Sequence, residues 1–203
     1  MDIMATSASI GYWRKAVRRV LPWSVRQPVW GCRIAIAKWW RMRRAVGAAT
    51  IAARRPRQSN QIVFVSDRPS SREAKLAHGL RQAGWQVVLL YKTPPAFEAA
   101  RYFQHAHGYR DEWEALAWCA RYRPVAFHVF STWEFDVAAR LVRHRPGKIV
   151  FDDYDVMVGM LREEYVGRDF RRQVALERYC LENADGLCCR SLETQFAKRH
   201  LGC

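Results

Sequence analysis

Several things are missing from this 203-residue sequence, and each absence excludes something. No run of about 18 apolar residues occurs, so no segment is suited to cross a bilayer as a helix. Neither G-x-G-x-x-G nor G-x-x-x-x-G-K-[ST] is present, which removes the dinucleotide and P-loop fingerprints. The cysteines, Cys32, Cys119, Cys180, Cys188, Cys189 and Cys203, form no C-x-x-C pair and have no histidines at zinc spacing. They are expected to be reduced thiols of a cytosolic protein, with Cys188 and Cys189 as strand residues in an apolar run. Cys203 does not make a prenylation box. Arg14, Lys15, Arg18, Arg19 and Arg26 interrupt the apolar stretches of the first 30 residues, so no secretory signal is read there. An Arg-rich, acid-poor organellar transit peptide is the alternative for that composition.

Acid is scarcest in residues 1–60, where Asp2 stands alone against 13 of the 34 Lys and Arg, which places +12 of the formal +15 there. A basic end on a near-neutral body calls for an anionic partner of that end, phospholipid headgroups or nucleic acid. Two helices are expected in this arm, from about Ser9 to Leu21, stopped by Pro22, and from near Pro28 to about Ala53. At 100° per residue the second gathers Cys32, Ala35, Ile36, Trp39, Met42 and Val46 on one side and Arg33, Lys38, Arg41 and Arg44 on the other. Trp13, Trp23, Trp30, Trp39 and Trp40 add rings suited to the headgroup boundary. Trp30, Arg33, Lys38, Trp39, Trp40, Arg41 and Arg44 are therefore the candidate membrane-surface residues. The competing reading packs the same stripe onto the body. Nucleic acid is disfavoured, since no recognisable nucleic-acid module follows.

From Gln61 the pattern alternates short apolar runs with helical periods. Strands are expected at 61–66, 85–91, 125–130, 148–151 and 186–190, and helices at 71–83, 111–122, 134–143, 169–183 and 192–200. Strands joined by helix-length crossovers imply an α/β, Rossmann-like, doubly wound parallel sheet over residues 61–203, with ligands at the carboxyl ends of its strands.

Four motifs in this body carry a resemblance. They are Phe64-Val-Ser-Asp-Arg-Pro-Ser-Ser-Arg72 followed by an Ala-rich helix and Gly84-Trp85-Gln86-Val87; Arg123-Pro-Val-Ala-Phe-His128; Val150-Phe-Asp-Asp-Tyr-Asp155; and Leu176-Glu177 with Ala184-Asp185-Gly186 and Ser191. In order and spacing over about 130 residues they resemble glycosyltransferase family four. The resemblance implies the N-terminal, acceptor-side half of a GT-B fold, working on polysaccharide or glycolipid at the cytoplasmic face of the cell membrane. It also implies that the nucleotide sugar belongs to a second Rossmann-like half, absent here or carried by a second polypeptide. No cofactor is expected in this chain, which alone would not be a competent transferase.

By this resemblance His128 faces the cleft near the transferred sugar, against the alternative of a hydrogen-bonded core histidine; the family's second histidine, two places on, is Phe130 here. Asp152, Asp153 and Asp155 close a buried-type strand, where carboxylates can accept hydroxyl hydrogen bonds or act as a base; strand-ending turn chemistry is the plainer reading. His128 and Asp153 are the catalytic candidates. Ser70, Arg72, Asp152 and Asp155 are the acceptor-binding ones, Ser70 and Ser71 being also suited to cap the following helix. Asp153-Tyr154-Asp155 is formally a D-x-D, the spacing that holds a divalent cation in metal-dependent GT-A transferases; no metal is expected, and that reading is an alternative. A non-catalytic, membrane-tethered interaction module is another. His105 and His107 alternate as in a strand and are read as incidental.

Overall fold

The computed structural model describes residues 23–54, 56, 60–131, 134–153 and 168–189. The expected helices 9–21 and 192–200, and Asp155, lie outside them. The chain divides into two compact units, Met1–Met42 and Arg43–Cys203. The division falls at Met42, within helix α1 (Trp23–Ala53).

In the first unit Ile36, Trp39 and Trp40 are 51%, 42% and 53% exposed, the two indoles meeting edge to face at 5.1 Å. Lys38 and Arg41 are exposed too. In the second unit α1 buries Ala45, Ala49 and Ala52, which share one helix face, while Ile51 is exposed. Of the apolar stripe, Ala35, Ile36 and Trp39 are exposed, and Met42 and Val46 are half-buried. Alanines permit close approach that large side chains would block.

Strands β1 (Gln61–Ser66), β2 (Gln86–Tyr91), β3 (His105–Gly108), β4 (Ala126–Ser131), β5 (Ile149–Asp153) and β6 (Gly186–Cys189) form one parallel sheet in the order β3-β2-β1-β4-β5-β6. Burial on both faces explains why β1 and β2 read as unbroken apolar runs. Helices α2 (Ser71–Gln82) and α3 (Ala99–Tyr102) cover one face, where Ala77 and Leu80 pack with Phe64, Val87, Leu89, Phe103 and Phe130. On the other, α5 (Asp136–His144) packs between α4 (Glu112–Cys119) and α6 (Arg168–Asn183), and Phe135 meets Phe151 edge-on. This is a doubly wound, Rossmann-like α/β fold. From Gln61 on, element bounds follow the sequence reading to within about three residues, whereas α1 begins at Trp23, five residues before the expected start near Pro28. The exceptions are β3 and the short α3, which the sequence reading did not assign.

Two contacts fix the β4–β5 side. A Cβ on Gly147 would lie 2.9 Å from the buried Phe127 ring, so only glycine lets the turn into β5 pass so close. Asp185 accepts from the Ile149 N–H at 2.8 Å and from Arg145 at 3.2 Å. The Asp of Ala184-Asp185-Gly186 thus ties β6 to the start of β5.

Candidate functional site

The chain order reverses between β1 and β4, which sit side by side although β2 and β3 intervene in sequence. Crossovers leave this pair in opposite directions, and a crevice opens at their carboxyl ends. A cavity of about 300 Å³ lies there, lined by Ser66, Asp67, Arg68, Ser70, Ser71, Arg72, Glu73, Phe130, Ser131 and Asp152.

The loop from β1 into α2 is held by a capping box. Ser70 Oγ accepts from the Arg72 N–H at 3.2 Å, and the Ser70 N–H donates to Glu73 Oε2 at 2.9 Å. Glu73 also accepts from Ser66 Oγ at 2.7 Å, which pins the end of β1 to the first turn of α2. Ser70 thus serves as the helix cap on the cavity wall.

This frame aims Arg72 at Asp152. One guanidinium nitrogen donates to both carboxylate oxygens, at 2.8 and 3.0 Å, and lies 3.7 Å from Cys188 Sγ. Asp152 is only 1% exposed, so its charge depends on such partners. Its Oδ2 also lies 3.0 Å from His128 Nε2. A carboxylate can only accept, so Nε2 carries the hydrogen, and in the neutral ring Nδ1 is left as an acceptor. His128 stacks on Phe130 at 4.4 Å and 6°, with Phe64 edge-on at 5.3 Å, which fixes the imidazole plane. Strand parity brings these groups together. Phe130 pairs with Asp152, and Asp152 with Cys188, so the residues lie on one sheet face.

The same parity separates the two catalytic candidates. Asp153 is fully buried, pairs with Ser131 and Cys189, and faces the opposite way from Asp152. It adjoins α6, where burial raises the Cys180 thiol pKa and the charges of Asp153 and Glu177 raise it further. Asp153 does not line the cavity, and His128 meets Asp152 instead. Of the other candidates, Ser70, Arg72 and Asp152 converge, whereas Asp155, with the second half of the D-x-D, lies outside the described residues.

No family model, curated protein or solved structure matches this chain. The site therefore has to be read from its own chemistry.

Asp67 is the group the sequence reading passed over. It directly follows β1, lines the cavity, and accepts from the buried Tyr109 hydroxyl at 2.8 Å. Burial pushes its pKa from 3.8 up to about 6; the Tyr109 bond and Lys92 lower it, and Glu134 raises it. Burial likewise pushes the Tyr109 hydroxyl upward, so it stays a donor. The available signal was an acid just past the apolar run Ile62 to Val65. Cys188, read as a strand residue, is one, and burial followed by the charge of Asp152 raises its thiol pKa. His107 stacks on Trp118 at 4.2 Å and shares a 2.7 Å hydrogen bond with Tyr122, packing that accounts for it without a ligand.

Proposed function

We propose that this chain is the acceptor-binding half of a glycosyltransferase-like protein serving polysaccharide or glycolipid assembly at a membrane surface. The observation that carries the reading is the convergence of Arg72, Asp152 and His128 beside the cavity at the β1/β4 reversal. A sugar unit presents hydroxyl edges and an apolar C–H face. Here a carboxylate, a guanidinium, an imidazole and serine hydroxyls stand beside the Phe130 ring, which suits both surfaces. The volume, about 300 Å³, is at the small end for ligand pockets and fits a short polar unit. Asp67, with a pKa of about 6, is ionised at pH 7 and basic enough to take a proton from an acceptor hydroxyl. The motif order that resembles glycosyltransferase family four supplies the substrate class, and the donor nucleotide sugar is assigned to a separate Rossmann-like unit. No described helix is long and apolar enough to cross a membrane. The surface attachment in this proposal rests on exposed Ile36, Trp39 and Trp40 beside Lys38 and Arg41.

Calorimetry tests it, with panels of saccharides, glycolipid headgroups and sugar nucleotides added to the chain alone and to the chain with any co-purifying polypeptide. The expected result is saccharide binding by the chain alone, with sugar-nucleotide binding only when a partner is present. Sugar-nucleotide binding by the chain alone would revive the D-x-D alternative. Silence throughout would favour the tethered interaction module.

A further inference from the structure

Three strands that are neighbours in space but far apart in sequence bring unlike donors to one point. His128 on β4, Asp152 on β5 and Cys188 on β6 place an imidazole nitrogen, a carboxylate oxygen and a sulfur within 4.8 Å of one another. Such a mixed set does not suit magnesium or calcium, which take oxygen, but it suits zinc, which accepts all three. Tetrahedral zinc with these bond lengths needs donors about 3.4–3.7 Å apart, so the widest separation must close by up to roughly an ångström while the His128–Asp152 pair, at 3.0 Å, opens slightly, both within the reach of side-chain rotation. The His128 ring is already oriented by Phe130 and Phe64, as a metal-binding histidine requires. A cationic group already lies against the set: the Arg72 guanidinium, on both Asp152 oxygens and 3.7 Å from Cys188 Sγ. Its side chain is 29% exposed and enters from the cavity side.

We propose that His128, Asp152 and Cys188 form a three-ligand site for a divalent cation of the zinc class, which the Arg72 guanidinium occupies in the metal-free chain. Metal entry displaces Arg72 from Asp152, and the fourth coordination position faces the cavity, where water or a ligand oxygen completes the tetrahedron. The inference goes beyond the saccharide reading, because metal binding can be measured with no sugar present.

The direction of the Arg72 effect sets this site apart from adventitious metal binding. Removing the competing cation strengthens metal binding, whereas removing a ligand weakens it. The full chain, freed of metal, is titrated with Zn²⁺ against a chromogenic chelator and with Co²⁺ read by its absorption spectrum. One equivalent is expected, with a thiolate-to-cobalt charge-transfer band and tetrahedral d–d intensity. Cys188→Ser and His128→Ala each weaken binding by more than about ten-fold. Arg72→Gln tightens it by a similar factor. Because a variant can misfold, the wild-type chain is also alkylated with and without Zn²⁺ and read by peptide mass spectrometry; selective protection of Cys188 supports the site. Binding unchanged by Cys188→Ser and His128→Ala, protection of other cysteines only, or no binding by either the wild type or Arg72→Gln would overturn it.

Discussion

Replacing Asp67 by asparagine should change how the stability of this protein depends on pH. In the folded chain Asp67 is 8% exposed and its pKa is raised from 3.8 to about 6. Between about pH 4 and pH 6 the folded state therefore holds a proton at Asp67 that the unfolded state releases. The residue's contribution makes stability fall as pH rises through that window. Below it both states are protonated and the effect vanishes; above it the whole penalty persists. A rise from 3.8 to about 6 corresponds to roughly 3 kcal/mol. Asparagine is never charged, and its carbonyl can still accept from the Tyr109 hydroxyl. The stability of Asp67→Asn minus that of wild type should thus rise by roughly 3 kcal/mol between pH 2.5 and pH 7, about 2.4 of it above pH 4, whatever constant packing offset the variant carries. Urea unfolding at half-unit pH steps measures it. A flat difference, or one that falls with pH, would refute the assignment of Asp67 as a buried acid with a raised pKa.

Other expectations follow from single contacts. Arg72→Met removes the cation on Asp152, which is 1% exposed, and should cost roughly 3 kcal/mol in denaturant unfolding; Asp152→Asn in the same background should recover part of it, because the uncompensated charge is then gone. Gly147→Ala should destabilise by about 1–3 kcal/mol, since its Cβ would press on Phe127 at 2.9 Å. Gly79→Ala, exposed within α2 with nothing within 4 Å, should stabilise by about 0.5–1 kcal/mol in the same assay. Trp39→Ala with Trp40→Ala should lower sedimentation with vesicles rich in anionic lipid, and raised salt should lower it further; unchanged sedimentation would remove the membrane part of the proposal.

The sheet was largely legible in the sequence because its strands are buried on both faces. Ile62 to Val65 and Val87 to Leu90 can hardly be anything but strand or buried helix, and their length decides for strand. Strand β3 was legible only as the alternation of His105 and His107, since His105-Ala-His-Gly108 has no apolar run and joins the sheet by pairing with β2. Arg72, Asp152 and His128 were each nominated from motifs, but their meeting depends on the register of β4 against β5. That register also decides between neighbouring aspartates, turning Asp152 towards Arg72 and Asp153 towards α6. Asp67 sat inside a nominated loop, yet the partner that holds it, Tyr109, is 42 residues away. In α1 the helical wheel gathered the bulky residues on one side without showing which residues the fold would bury, and in the second unit that role falls to alanines, which allow the closest approach.

The most direct test of the central claim is to map where a saccharide acceptor binds, using backbone amide chemical shifts of the labelled chain during titration with the best ligand from the calorimetric panel. The account predicts shifts at Ser66 to Arg72, at His128 to Ser131 and at Asp152, all lost in Asp152→Asn. Shifts confined instead to the opposite ends of the strands, around Gln61, Gln86 and Gln104, or no shifts at all, would contradict it.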